Sequence, residues 1–401
     1  MFRDLVGHDR DPELARRARL RFLALRPLLR VLRHGAEGIS NDSFEKQLEG
    51  IREELGSLPA RDPERVRLSR YLHQITSRLP EDLTAAAAGL GDVAEQAGYV
   101  SAAEEFFRTA FELADRSQLP ARAAAALWRL GMLCHRLGRD EEATRHLSAA
   151  AAAAELAGAS AEWAQATCDG ALLRAATGDP AARAALQQVL ARGQELGDPE
   201  VRGVAALALA DLALLEGDAE SALEASWSAL EGTAGQRSPL VLARAAAALR
   251  GLGLFDPALQ SFDAALEDGL PPEERWTTRA ERVATFAEAG RKQEFAVARD
   301  ELLQAARAEA LPPRAAALLH LSLARACLVL ESPDFARDHL RDGLEAARSG
   351  ACADVIPQLE ALLPCLEQAP APRRTARRPE PGARARAIAE AMGALLTPVP
   401  T

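Results

Sequence analysis

Helical spacing in this chain breaks and restarts about every forty residues, and no other feature limits its fold so tightly. The clearest instance runs from Leu127 to Ala150. Small or apolar residues recur through Leu127, Leu130, Gly131 and Cys134, stop at Gly138, and resume through Ala143, Leu147 and Ala150. With the break glycine as origin, the pattern returns at Gly98, Gly138, Gly178, Gly217, Gly253, Gly290 and Glu331. The intervals are 40, 40, 39, 36, 37 and 41 residues. Such a period predicts stacked helical hairpins, each burying its apolar face only against its neighbours.

Composition agrees. Only 4% of the 401 residues are aromatic while alanine abounds, so the helices must meet through small side chains. β-Branched residues are scarce and no period-two alternation is sustained, which excludes extensive sheet. The class is all-α. Net charge is −10, unevenly spread: residues 1–35 carry nine Arg against four acids, and 368–387 carry six Arg against one. The stretch between them therefore holds −10 − 5 − 5 = −20. An acidic body repels phosphates, so nucleic acid binding along the hairpins is not expected. Cys134, Cys168, Cys327, Cys352 and Cys365 show no CxxC pair and no histidine at zinc spacing, and read as small reduced core residues. No metal or other cofactor is expected. No signal-peptide core and no apolar run of about 18 residues occurs, which points to the cytoplasm and away from membrane contact.

Taken in order, residues 1–79 form a leader of three helices: Asp11–Arg33 with its Arg-rich flank, a second ending near Gly56, and a third from Asp62-Pro63 with Val66, Leu68, Leu72 and Ile75 as its apolar stripe. Seven hairpins follow over 80–350, and 351–367 reads as one capping helix. Asp179, Asp198, Ser238, Asp256 and Ser332 each precede a proline, a pairing that caps and starts a helix. Residues 368–382 are Pro/Arg-rich and read as a linker. Beyond it, 383–401 carries a short amphipathic helix (383–396) with Ile388, Met392, Leu395 and Leu396 on one side, and a tail. That helix suits the groove of its own chain, another protomer or a partner.

The repeats resemble tetratricopeptide repeats (TPR). In that family a small residue stands seven before the turn glycine, matched here by Gly91, Gly131, Ala171, Ala210, Ala246 and Ala324. An alanine stands five after it, as at Ala103, Ala143, Ala222, Ala258 and Ala336. A large apolar residue stands nine after, as at Phe107, Leu147, Phe262 and Leu340, and a second alanine twelve after, as at Ala110, Ala150, Ala229 and Ala265. Unit three departs with Arg183, unit six with Val283 and Phe295, and unit seven with Glu331 at the turn. The resemblance implies a right-handed α-α superhelical solenoid of about seven TPR-like helical hairpins behind an N-terminal three-helix leader. The layout is also loosely similar to Rap-type peptide receptors.

The resemblance further implies a concave groove lined by the first helix of each hairpin. Helical spacing places Asp92, Glu95, Trp128, Met132, His135, Gln165, Cys168, Leu172, Leu207, Asp211, Leu214, Arg250, Leu321, Arg325 and Leu328 on that face. The candidate ligand groove centres on Trp128, Met132, His135, Cys168, Leu207 and Asp211, with Arg250 and Arg325 further along. Apolar lining with isolated charges suits a peptide or amphipathic helix. A Lys/Asn clamp for a C-terminal carboxylate is excluded, because the only asparagine is Asn41 and neither Lys46 nor Lys292 lies on the groove. Catalytic constellations are absent. Gly89-Leu90-Gly91 mimics a dinucleotide fingerprint but lies inside a helix, and His146 and His339 read as partly exposed repeat residues. The expected function is a non-enzymatic protein-protein interaction scaffold. The alternative is a regulatory sensor, in which groove occupancy, by a peptide or by the chain's own C-terminal helix, controls a signalling or transcription partner.

Overall fold

The computed structural model describes residues 41–77, 79–96, 98–232, 238–309, 311–367 and 380–396. Among these, every regular element is a helix. Two helices come first, α1 (Asn41–Gly56) and α2 (Pro63–Ser77). The hairpins are α3 (Pro80–Gln96) with α4 (Val100–Arg116), α5 (Pro120–Arg136) with α6 (Asp140–Leu156), and α7 (Ser160–Ala176) with α8 (Ala182–Leu196). They continue with α9 (Pro199–Glu216) and α10 (Ala219–Gly232), then α11 (Pro239–Gly251) and α12 (Phe255–Glu267). The last two are α13 (Pro272–Glu288) with α14 (Lys292–Glu309), and α15 (Pro313–Val329) with α16 (Pro333–Ser349). The expected helix at Asp11–Arg33 and most of the 368–382 linker lie outside the described residues.

The described residues form two compact units. One holds the chain up to Leu133 together with Arg145–Trp163; the other holds Cys134–Thr144 and the chain from Ala164 on. In the first, α1 packs on α2, α2 on α3, and α3 on α4. Phe44, Leu48, Leu68, Leu72 and Ile75 are buried there, while Val66, assigned to the same apolar stripe, faces solvent. Gly89 and Gly91 sit mid-helix on α3 because rings occupy the space of their missing side chains: Tyr71 against Gly89, and Phe107 against Gly91. In the second unit each of α9/α10, α11/α12, α13/α14 and α15/α16 packs as a pair. There the first helices α9, α11, α13 and α15 also lie side by side in one continuous layer.

The turn glycines do what the period demanded. Gly98, Gly138, Gly178, Gly217, Gly253 and Gly290 all take left-handed φ, from +71° to +86°. At Gly138 the chain closes on the helix end: the Gly138 N–H donates to the His135 carbonyl at 2.8 Å, and the Arg139 N–H to that of Cys134 at 2.9 Å. The seventh turn asks the same of Glu331, whose φ is +57°. A side chain in that region costs roughly 1 kcal/mol. We expect Glu331→Gly to stabilise the chain by up to about 1 kcal/mol and Glu331→Val to destabilise it, read from thermal unfolding. A second left-handed series, unseen in the sequence reading, closes the turns between hairpins at Gln118, Gly158 and Gly197.

The TPR-type register is also the buried set. Ala103, Ala143, Ala222, Ala258 and Ala336 are all 0% exposed, with Phe107, Leu147, Phe262 and Leu340 buried beside them. The departures change local packing. Hairpin three starts its second helix late, since Asp179 accepts from the Ala181 N–H at 2.9 Å to form a turn in place of a helix start. Its buried residues are then Ala182, Leu186 and Val189, one position earlier than elsewhere, and Arg183 turns outward. In hairpin six, buried Val283 and Phe295 stand where others have small residues, and a cleft of about 270 Å³ opens beside Val283, Leu302 and Leu266.

Besides Asp179, three of the expected start signals do not cap a helix. Asp198 caps α9, accepting from Glu200 N–H at 3.0 Å and Val201 N–H at 3.2 Å. Ser238 and Ser332 make no such side-chain bond, and Asp256 lies inside α12. The single capping helix expected over 351–367 is two short ones, α17 (Ile356–Glu360) and α18 (Pro364–Glu367). Pro364 has no N–H to continue the first, so the chain restarts.

The C-terminal helix α19 (Ala383–Leu396) is present, but its place corrects one expectation. It packs on α10 and α12, the second helices of hairpins four and five, and not on the first-helix layer. Ala385, Ile388, Ala389 and Met392 join the core formed there by Leu223, Leu230, Ala258 and Ala265.

Candidate functional site

The proposed groove residues divide between the two units. Trp128 and Met132 belong to the first, both half-buried on α5. His135, Cys168, Leu207, Asp211, Arg250 and Arg325 belong to the second. Of these, Cys168 is removed from any surface: it is 1% exposed, and burial pushes its thiol up to about 12. Its helix face points into the core because α7 presents Ala164, Cys168 and Ala171 as one apolar stripe. His135 closes its own turn through Nδ1, 2.9 Å from Asp140 Oδ1. Leu207 and Leu214 are half-buried against the hairpin-four core.

The structure brings Asp211 and Arg250 into a different arrangement, a ladder of charge across the first-helix layer of the second unit. Asp211 on α9 pairs with Arg244 on α11. Arg250, two turns on, reaches Glu281 at 3.8 Å and Glu288 at 3.7 Å on α13. Glu274, Glu281 and Glu288 recur every seven residues and so share one side of α13. Arg325, exposed on α15, donates to Gln358 Oε1 at 3.4 Å. Successive helices thus present rows of alternating sign.

One pairing is itself repeated. In the first unit Arg129 Nε sits 2.8 Å from Asp92 Oδ1. Asp92 and Asp211 each stand six residues before a turn glycine; Arg129 and Arg244 each stand nine before the next. An aspartate on one first helix thereby holds an arginine on the next, twice. Both aspartates stand on the face expected to line the groove, where each is taken up by an arginine of the next first helix. The signal was present, since an acid and an arginine recurred at fixed offsets from the anchors.

A second ionic cluster ties Cys134–Thr144 into its unit. Arg136 lies 3.7 Å from Glu273, and its carbonyl accepts from the Ala353 N–H at 2.8 Å. Glu273 also holds Arg314, whose other nitrogen lies 2.6 Å from Asp354. Burial, with Asp354 beside it, pushes the neighbouring Cys352 thiol up to about 11. His320 and His339, on α15 and α16, form another pair missed in the sequence: their Nδ1 atoms are 3.1 Å apart and His339 is 7% exposed, so it is not a partly exposed repeat residue.

No protein-family model matches the sequence, and no curated protein matches it. Solved structures of similar fold include NprR in complex with its cognate peptide NprX, at 14% identity over 86% of this chain and 97% of that one, with a TM-score of 0.43. A signal transduction ATPase with a tetratricopeptide repeat sensor from Pyrococcus horikoshii aligns at 16% identity over 88% of this chain and 56% of that one, with a TM-score of 0.44. A Rap protein complexed with Competence and Sporulation Factor aligns at 12% identity over 86% and 97%, with a TM-score of 0.37. Likenesses this distant carry no functional argument. Among the described residues, no helix is long and apolar enough to cross a membrane.

Proposed function

We propose that this chain is a non-enzymatic interaction scaffold, and that the first-helix layer formed by α9, α11, α13 and α15 holds a peptide or helix from another protein. The observation that carries this reading is the ladder of charge on that layer. Its Arg250 is held between two acids of the next helix, Glu281 at 3.8 Å and Glu288 at 3.7 Å. A ligand carboxylate that reached Arg250 would take the place of one of these acids, and the alternating rows would orient an acidic segment along the layer. Arg325 offers a second cation two helices further along the layer, and Leu207 and Leu214 supply apolar contact. The ligand class that fits is a segment with acidic residues flanked by apolar ones.

The test is a displayed peptide library panned against the whole chain, followed by titration of the selected peptides. Arg250→Glu and Arg325→Glu should each weaken binding by about tenfold or more while leaving the melting temperature near its starting value. Selected peptides that bind both variants as well as the starting chain would place recognition elsewhere. Failure to select any peptide enriched in acidic residues would argue against the reading itself.

A further inference from the structure

The helix α19 sits on its own chain as a ligand sits on a receptor. Ala385, Ile388, Ala389 and Met392 follow i, i+3, i+4 and i+7 spacing and are 4%, 6%, 7% and 0% exposed. They lie in the seam between α10 and α12 and share one buried cluster with Leu223, Leu230 and half-buried Trp227 of α10 and with Ala258, Ala265 and Leu266 of α12. At the start of the helix, Glu220 accepts from the Gly382 N–H at 2.6 Å, and Glu224 lies 3.1 Å from Arg384. Two acids one turn apart on α10 thus meet the positive end of α19 and its first cation. Adding a side chain at Gly382 would press on the Glu220 carboxylate, 3.0 Å away. Position, orientation and register of the helix are all specified by the seam. Residues 368–379, which join it to the rest of the chain, are rich in Ala, Pro and Arg in sequence.

We propose that the seam between α10 and α12 is a helix-binding site separate from the first-helix layer, and that it takes the same helix in trans from a second copy of this chain. The tether supplies a local concentration on the order of millimolar, so a dilute chain fills its own seam. Exchange of the helix between two copies makes the same contacts twice and yields a reciprocal dimer at high concentration.

The test uses two full-length variants and a fluorescent peptide of residues 380–398. Ile388→Asp with Met392→Asp frees the seam; Glu220→Lys with Glu224→Lys leaves the helix intact but repels its start. The peptide should bind the first variant about tenfold or more tighter than it binds the starting chain, whose seam is filled. Mixed together, the two variants should form a one-to-one complex in sedimentation velocity, each being monomeric alone. A first variant that unfolds cooperatively yet takes up neither peptide nor the second variant overturns the proposal. So does equal uptake of a peptide carrying Ile388→Asp. Should the first variant not fold, a protease site placed within 368–379 of the otherwise unaltered chain decides the matter. The cut helix should leave on dilution and return on concentration, and a fragment that never rebinds overturns the idea.

Discussion

Replacing Gly91 with valine is expected to destabilise the chain by about 3 kcal/mol, measured by denaturant unfolding. The added atoms would fall on the Phe107 ring, which is 0% exposed and has no free volume to turn into. Gly50, on α1, provides the control. Nothing lies within 4 Å of where its side chain would grow, so Gly50→Ala should stabilise by up to about 1 kcal/mol through helix propensity alone. A double change of Gly91→Val with Phe107→Leu should recover much of the loss, a coupling of about 1–2 kcal/mol. Additive losses would show that α3 and α4 do not meet at this point.

Acid should loosen hairpin seven before carboxylate protonation accounts for any loss. Burial first, then the His320 ring and Arg299, hold His339 down at about 4, against the ordinary 6.5. Burial lowers His320 as well. One neutral imidazole N–H donates to the other ring across the 3.1 Å contact, and a second proton would set two donors face to face. Asp338 and Asp342 pull His339 the other way without prevailing. The folded chain therefore favours the neutral ring, whereas the unfolded chain takes up a proton near 6.5. Stability is full above pH 6.5 and falls as pH drops toward 4, by roughly 3 kcal/mol at about 1.4 kcal/mol per pH unit. His339→Leu should flatten that slope between pH 4 and 6.5 in urea melts. An unchanged slope would assign the acid sensitivity to other groups.

What was legible in the sequence was whatever repeats. Alanine five residues after each turn could be read as a packing position because the same demand recurs in every unit, and all five of those alanines are fully buried. Glu331 could be placed at the seventh turn for the same reason, and its left-handed φ matches that of the turn glycines although the residue differs. Three features resisted. The one-residue shift in α8 depends on how Asp179 folds back on Ala181, a local competition between turn and helix that periodicity does not register. The pairing of Asp211 with Arg244 joins different hairpins, so neither helix alone announces it. The docking of α19 was least accessible. An apolar stripe says that a helix will be covered, but Glu220 and Glu224 decide where, and they lie about 160 residues earlier in the chain.

The bond from Ala353 N–H to the Arg136 carbonyl joins two stretches of the second unit that lie far apart in the chain. Where every unit touches only those beside it, modules can be added or dropped and the remainder survives. Here two points 353 − 136 = 217 residues apart must arrive at the same spot, with Glu273 bridging Arg136 and Arg314 nearby. A hairpin inserted or excised between them would carry Ala353 past its mate, so a chain one hairpin longer or shorter is expected to give up this bond and the ion pair beside it.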